Sequence, residues 1–217
     1  MAHDVAGARP APLAHHFRAI ETQRHAERLG MWLFLATEVL LFGGLFVAYT
    51  LYRWLYSEAF VECSRQLDVV LGTVNTIVLI SSSLTVALAH HFAHHGRSRL
   101  AGVLLMVSVA AGVAFLGIKA IEYSHKFEEG LLPGRYFHAE HLTVQGASMF
   151  FTVYFLTTGL HAVHVIIGMG VLTWIGVRAL RNEFHENHSI PVELAGLYWH
   201  LVDLVWIFLY PLLYLVT

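Results

Sequence analysis

Apolar residues gather in five long stretches, and polar residues collect in the segments between them. Each stretch reaches the roughly 20 residues that a helix needs to cross a hydrocarbon layer of about 30 Å. In lipid, a helix is the open-ended element that satisfies all of its own backbone groups. The pattern therefore predicts an all-α membrane bundle of about five transmembrane helices, at Gly30–Leu55, Val69–His90, Leu100–Ile121, Ala147–Val177 and Val192–Val216.

The polar segments set the predicted domain organisation. Residues 1–29 contain many His and Arg and no long apolar run, so they are predicted to form a polar N-terminal extension. The connections between the stretches are short, except for Glu122–Gly146. These lengths leave no room for a separate soluble domain. We therefore expect one five-helix domain over residues 30–217.

Composition supports a membrane protein and excludes several other classes. Hydrophobic residues make up 57% of the chain and charged residues 13%, against roughly 45–50% and 25% in soluble domains. The net charge is −2 and no basic stripe occurs, so nucleic acid is not an expected partner. One cysteine, Cys63, excludes a disulfide framework and a Cys-based metal cluster.

Basic residues are distributed unevenly between the two sides of the predicted bundle. The side that holds the N-terminus carries Arg9, Arg18, Arg24, Arg28, Arg97, Arg99, Arg178 and Arg181, and the other carries Arg53, Arg65, Lys119, Lys126 and Arg135. Because Lys and Arg favour the cytoplasmic side of membrane proteins, the N-terminus is predicted to lie inside.

Glu38 is the clearest polar residue at membrane depth. It lies about two helical turns inside the first stretch, in LFLATEVLLFGGLF, with Thr37 as its polar neighbour. An ionised carboxylate there needs a partner, and without one the group stays protonated. Two interpretations remain open: a proton-exchanging or polar-network carboxyl, or an interhelical hydrogen bond that determines packing.

The last two stretches carry further polar pairs. His161 and His164 are three residues apart and share a helix face, as do His200 and Asp203. Counting along the helices places Glu38, His164 and His200 in the cytoplasmic half. A polar layer linking the first, fourth and fifth stretches is therefore a hypothesis for the structure to test.

Other candidates have simpler interpretations. Lys119 and Glu122 lie three residues apart near the outer end of the third stretch, where they can neutralise each other. Small residues suit close helix contacts, and those expected at such contacts include Gly43, Gly44, Gly168 and Gly170.

Two functions that do not involve a partner complex can be framed from these residues. A stand-alone haem protein would use His161 or His164 together with His200 as axial ligands. A proton-coupled transporter would use Glu38 as the proton carrier, but such folds show repeat symmetry or broken helices, and the sequence has neither.

Several segments together resemble the cytochrome c oxidase subunit III family. They are LFLATEVLLFGGLF around Glu38, NTIVLISSSLTVALAHHF from Asn75, GIKAIEY before Ser124, TGLHAVHVIIG from Thr158 and YWHLVDLVWIFLYPLLYL from Tyr198. The resemblance runs from about Gly30 to the C-terminus. Longer family members have two more helices before this region, and those helices form one arm of a lipid-holding cleft. This sequence resembles the short bacterial forms, which lack them.

The resemblance implies an accessory, cofactor-free subunit of a proton-pumping oxidase in a bacterial inner membrane. Haem and copper would lie in partner subunits, and the expected partners are subunits I and II. The chain could also contact a small subunit IV, a larger respiratory assembly or phospholipids. The subunit would support proton uptake and the stability of subunit I. The corresponding subunit of a quinol oxidase or nitric oxide reductase is the alternative, and Glu38 with Tyr198-Trp199-His200 favours the cytochrome c-linked type.

The resemblance also implies roles for individual residues. Glu38 matches the buried glutamate of the family that is associated with carbodiimide reactivity. The matching polar positions expected to have structural or lipid-cleft roles are Glu122, His161, His164, His200 and Asp203. None of these residues is expected to bind a metal or to act in catalysis.

Overall fold

Six helices make up the part of the chain that the structure describes. This computed structural model describes Phe17, residues 19–133, Phe137, Leu142, residues 144–184 and residues 189–216. Within these ranges no strand occurs, only an isolated bridge between Leu131 and Phe137. The helices are α1 (Ile20–Leu55), α2 (Ser57–Ser64), α3 (Val69–His94), α4 (Ser98–Glu128), α5 (Ala147–Leu180) and α6 (Ile190–Tyr214).

The all-α class and the five predicted spans are confirmed, since α1, α3, α4, α5 and α6 are long and apolar enough to cross a membrane. Their limits differ from the prediction. Helix α1 begins at Ile20 instead of Gly30, and α4 continues past Ile121 to Glu128. Residues 20–29 contain no Gly or Pro and several good helix formers. Hydropathy shows where a helix enters lipid, and it does not show where the helix begins.

Helix α2 was not predicted, because eight residues of mixed polarity give no transmembrane signal. Its position is fixed by Phe60, which is fully buried. The Phe60 ring lies edge-on to Tyr49 of α1 and to Phe150 of α5, with centroid separations of 5.5 and 5.1 Å. Such edge-to-face pairs are favourable, so α2 anchors the turn between α1 and α3 to the bundle.

Four of the long helices close into a ring. Helix α3 packs against α4 and α6, and α5 packs against the same two helices. Helix α1 lies outside this ring, against α5 and α6. Its buried residues, Leu35, Phe42 and Tyr49, recur every seven positions and form a single stripe. Much of the remaining surface of α1 is exposed, for example at Leu40 and Val47.

The consecutive long helices run in opposite directions, so the bundle has two distinct ends. At one end Arg28 of α1 bonds to Glu193 of α6, and Ser98 of α4 donates to the carbonyl of Ala179 in α5. We call it the basic end, because the described arginines there are Arg24, Arg28, Arg97, Arg99, Arg178 and Arg181. The opposite end, which holds α2, is called the α2 end.

Glycine allows α4 and α5 to approach closely. A Cβ atom on Gly102 would lie 2.8 Å from the backbone nitrogen of Leu180 and 2.9 Å from the carbonyl oxygen of Gly176. Gly168 similarly faces the Trp199 ring at 2.9 Å, which confirms the expectation for that residue. The same expectation is wrong for three other glycines, whose added Cβ atoms would meet nothing within 4 Å: Gly43, Gly44 and Gly170.

We predict that Gly102→Ala destabilises the bundle by about 1–3 kcal/mol, because the new methyl group meets backbone atoms that cannot move aside. Gly117→Ala is the matched control on the same helix, since a Cβ there meets nothing within 4 Å. That control should be neutral or stabilising by up to about 1 kcal/mol. Thermal unfolding in detergent measures both, and equal effects of the two substitutions would contradict the close approach.

Candidate functional site

Glu38 and His164 form a polar pair between α1 and α5. The Nε2 atom of His164 lies 2.8 Å from Oε2 of Glu38, and its Nδ1 atom lies 2.8 Å from the carbonyl oxygen of Leu160. A carbonyl oxygen only accepts hydrogen bonds, so Nδ1 must carry a hydrogen. The hydrogen between Nε2 and Oε2 then belongs either to the imidazole or to the carboxyl. In both cases the pair is neutral overall and holds one exchangeable proton.

The pair is incompletely covered by the rest of the chain. The side chains of Glu38 and His164 remain 14% and 11% exposed. The Phe42 ring meets the imidazole edge-on at 5.0 Å. One turn before Glu38, Phe34 contacts Tyr198 and lines a groove of about 450 Å³ between α1, α5 and α6. The groove leads from the region of the pair towards the basic end.

His200 does not join this pair. Its Nδ1 atom lies 2.6 Å from the hydroxyl of Ser83 on α3, at the opposite side of α6. The predicted polar layer is therefore confirmed for Glu38 and His164 and wrong for His200. Sequence spacing identifies residues that share a helix face, but it does not reveal which neighbouring helix that face meets.

His161 and Asp203 are buried without hydrogen-bond partners among the described residues. Neither ring nitrogen of His161 and neither carboxyl oxygen of Asp203 is bonded. His161 is instead enclosed by aromatic rings, with centroid separations of 5.5 Å to Phe115 and 5.3 Å to Trp206. Although His161 and His164 are three residues apart on α5, they occupy different environments.

The histidines do not converge as the haem hypothesis requires. His164 is bonded to α1 and His200 to α3, and His161 lies between two aromatic rings. In the described ranges, no group of three or more His, Cys, Asp or Glu side chains could hold a metal ion. These residues therefore fit neither bis-histidine haem ligation nor a metal centre.

Lys119 and Glu122 form the centre of a closed polar network inside the ring. The ammonium of Lys119 donates to Glu122 at 3.0 Å, to the Tyr154 hydroxyl at 3.0 Å and to the Tyr214 hydroxyl at 2.8 Å. Both tyrosine hydroxyls donate in turn to Oε1 of Glu122, at 2.7 and 2.5 Å. All three hydrogens of the ammonium are used, and the network joins α4, α5 and α6.

The sequence indicated only part of this network. It predicted the neutralising pair of Lys119 and Glu122 near the outer end, but it did not predict the burial of the pair, whose side chains are at most 5% exposed. Tyr154 carried no signal, since it lies within an apolar stretch. Tyr214 has the position expected of an interfacial aromatic residue, yet it is 3% exposed and points into the core. Two opposite charges three residues apart within an apolar helix were the available clue.

The single cysteine has a structural position. Cys63 of α2 is fully buried. Burial raises the pKa of its thiol to about 12, because the charged thiolate is disfavoured away from water. The thiolate is the reactive form of cysteine, so Cys63 is expected to be inert towards alkylating reagents in the folded chain.

We predict that Lys119→Met destabilises the folded chain by about 3–5 kcal/mol, since it leaves the carboxylate of Glu122 buried without its counter-charge. Adding Glu122→Gln to that variant should recover part of the loss. Lys126→Met is the control, because its partner Glu129 is 46% exposed and can be hydrated. That control should cost about 1 kcal/mol or less. A double-mutant cycle of unfolding free energies tests this, and strict additivity would contradict the network.

Comparison with known proteins identifies a single family. The chain matches the family model described as cytochrome c oxidase subunit III over residues 13–217. It is 31% identical over 213 residues to cytochrome c oxidase subunit 3 of Loxodonta africana, covering 92% of this chain and 72% of the relative. It is 31% identical over 197 residues to the corresponding protein of Gallus gallus, covering 86% and 68%.

A second kind of relative is a larger protein. The chain is 31% identical over 199 residues to heme-copper oxidase subunit I+III of Aeropyrum pernix, covering 87% of this chain and 22% of that protein. The family match spans all five membrane helices and the polar residues described above. This multi-pass membrane chain therefore belongs to the cytochrome c oxidase subunit III family.

Proposed function

We propose that this chain is an accessory subunit of a proton-pumping haem–copper terminal oxidase, which reduces oxygen to water. The observation that carries the proposal is the family match over residues 13–217. In this role the chain binds no redox group itself and supports the subunit that holds haem and copper. The cytochrome c-linked type is favoured, because the relatives from Loxodonta africana and Gallus gallus are named as cytochrome c oxidase subunits.

The proposed principal partner is subunit I. The Aeropyrum pernix relative carries subunits I and III in its name as one protein, which supports close association of the two parts. Helix α1 and the outward faces of the ring offer apolar surface at membrane depth, such as Leu40 and Val47, which are 75% and 70% exposed. Lipid and neighbouring membrane helices both suit such a surface. Subunit II and phospholipids are further proposed contacts.

The proposed orientation places the basic end in the cytoplasm of a bacterial cell. Six described arginines lie at that end, whereas the described Lys and Arg residues of the α2 end, besides Lys119, are Arg53, Arg65 and Lys126. The excess of basic residues favours the cytoplasmic side. Glu38 would then lie between α1 and α5 at membrane depth. There it could exchange its proton through the groove that leads to the basic end.

Glu38 and His164 support the proposed contribution to proton uptake. The pair holds one proton that can move between two atoms 2.8 Å apart without changing the net charge. The move creates no isolated charge, because the carboxylate and the imidazolium that it produces remain hydrogen-bonded to each other. Both side chains are partly exposed at the surface of the bundle, so the proton could be exchanged where water or a partner subunit reaches them. The subunit would thus supply protons to its partner without catalysing oxygen reduction.

Purification through an affinity tag on this chain in a mild detergent tests the proposed function. The eluate should show the reduced-minus-oxidised spectrum of haem a, and this spectrum should disappear when harsher detergent separates the chain from its partners. A b-type spectrum that remains with the isolated chain would contradict the proposal. Absence of any haem from a stably purified chain in a respiring host would also count against it.

A carbodiimide experiment tests the proposed role of Glu38. A hydrophobic carbodiimide reacts with protonated, accessible carboxyl groups, so it should label Glu38 and should not label Glu122, whose side chain is 2% exposed and bonded to Lys119. Glu38→Gln should abolish the labelling, and Glu129→Gln is the control that should leave it unchanged, because the Glu129 side chain is 46% exposed and hydrated. Labelling that survives Glu38→Gln would refute the assignment.

A further inference from the structure

Asp203 is a buried carboxyl group that the proposed function does not use. It is 3% exposed, and neither of its oxygens has a hydrogen-bond partner among the described residues. The ammonium of Lys119 cannot serve, because its three hydrogens bond to Glu122 and two tyrosines. A carboxylate without a counter-charge is very costly in a membrane core. Asp203 is therefore expected to hold a proton.

A hydroxyl and an imidazole lie beside this carboxyl. Ser83 of α3 has its Oγ atom 2.6 Å from Nδ1 of His200. His200 and Asp203 are three residues apart on α6, so they share the face that meets α3. A serine hydroxyl both donates and accepts hydrogen bonds. The structure contains no bond between Ser83 and Asp203, so the hydroxyl must first move onto the carboxyl. It could then accept from Asp203 while it donates to His200.

We propose that Asp203, Ser83 and His200 form a second proton-binding site, in which the Ser83 hydroxyl relays a proton between the carboxyl and the imidazole. It differs from the pair of Glu38 and His164, where the carboxyl bonds directly to the ring. This proposal goes beyond the proposed function and does not depend on it, since the site lies entirely within α3 and α6.

The relay step balances with groups of this chain alone. The carboxyl O–H bond of Asp203 breaks and its proton binds to Oγ of Ser83. The former Ser83 hydroxyl proton passes to Nδ1 of His200. The products are an Asp203 carboxylate and a His200 imidazolium, so the net charge is unchanged. The step requires that neutral His200 carries its hydrogen on Nε2, because Nδ1 must be free to accept.

The site can be reached from the basic end along the seam between α3 and α6. His90 lies seven residues after Ser83 on α3, and Glu193 lies seven residues before His200 on α6. Each separation corresponds to two helical turns, about 10 Å along the helix. Both residues line a cavity of about 320 Å³. Between the cavity and the site, Val86 packs closely against Gly196. Proton exchange therefore requires transient entry of water and should be slower than at Glu38.

The other titratable groups around the seam are paired or more remote. His90 of α3 acts on His200 electrostatically. In α6, Glu193 is paired with Arg28 of α1. On the other helices, Glu38 is paired with His164, and Lys119 is paired with Glu122. His161 lies among aromatic rings. None of these bonds to Asp203 or to His200 within the described ranges. The protonation of the site is therefore set within the three residues and by His90.

Infrared difference spectroscopy of the purified full-length chain, in its complex or alone, tests the proposal. Spectra recorded between acid and alkaline buffer should contain a C=O band of a protonated carboxyl group that Asp203→Asn removes. Asp68→Asn is the control and should leave that band unchanged, because Asp68 is an exposed helix cap. A spectrum in which Asp203→Asn removes no such band would overturn the proposal.

Substitutions of Ser83 separate a relay from a merely buried acid. Ser83→Ala should shift the Asp203 band to higher frequency, because the carboxyl loses the hydroxyl that accepts its hydrogen in the proposed relay. Ser83→Thr keeps a hydroxyl and should restore the original frequency. If Ser83→Ala leaves the band where it is, the relay is refuted even when the acid is protonated. These variants change one small side chain at a half-buried position, and a haem spectrum of the complex verifies assembly.

Discussion

The ammonium group of Lys119 is held by three hydrogen bonds in the interior of the bundle, where its side chain is 5% exposed. In such an environment a charge persists only where its partners are already in place. Glu122 supplies the opposite charge, and Tyr154 and Tyr214 complete the bonding of both. Because these four residues come from α4, α5 and α6, the network fixes the register of three helices at the α2 end. The tight contact at Gly102 fixes α4 against α5 at the other end.

The two carboxyl groups that we propose to bind protons differ because their helices differ. Glu38 lies on α1, which touches the ring along one stripe and leaves its carboxyl partly open. Asp203 lies on α6, a member of the ring, and is shielded on all sides. The first site therefore has a partner imidazole and ready access, whereas the second depends on a serine and on water that enters only briefly. In the proposed roles, Glu38 would exchange its proton quickly and Asp203 slowly.

The sequence predicts those features of the molecule that depend on local pattern. Hydropathy gives five spanning helices, since burial in lipid requires continuous apolar runs. It misses the polar start of α1 at Ile20, where helix propensity decides. Spacing shows that His164 and His200 each share a face with another polar residue, but only the packed structure shows that Glu38 meets the first of them. Tyr214 looks interfacial in sequence and is buried, because its hydroxyl bonds to charges on another helix.

The order in which the chain is synthesised gives the Lys119 network a consequence for membrane insertion. Chains emerge from the ribosome with the N-terminal part first, so α4 enters the bilayer before α5 and α6. During that interval Lys119 and Glu122 can bond only to each other. Because they are three residues apart on one helix, they can enter the bilayer as a neutral ion pair. Tyr154 arrives with α5 and Tyr214 with α6. An intermediate that lacks α6 would expose incompletely bonded charge in lipid, a feature by which membrane quality control could recognise an unfinished subunit.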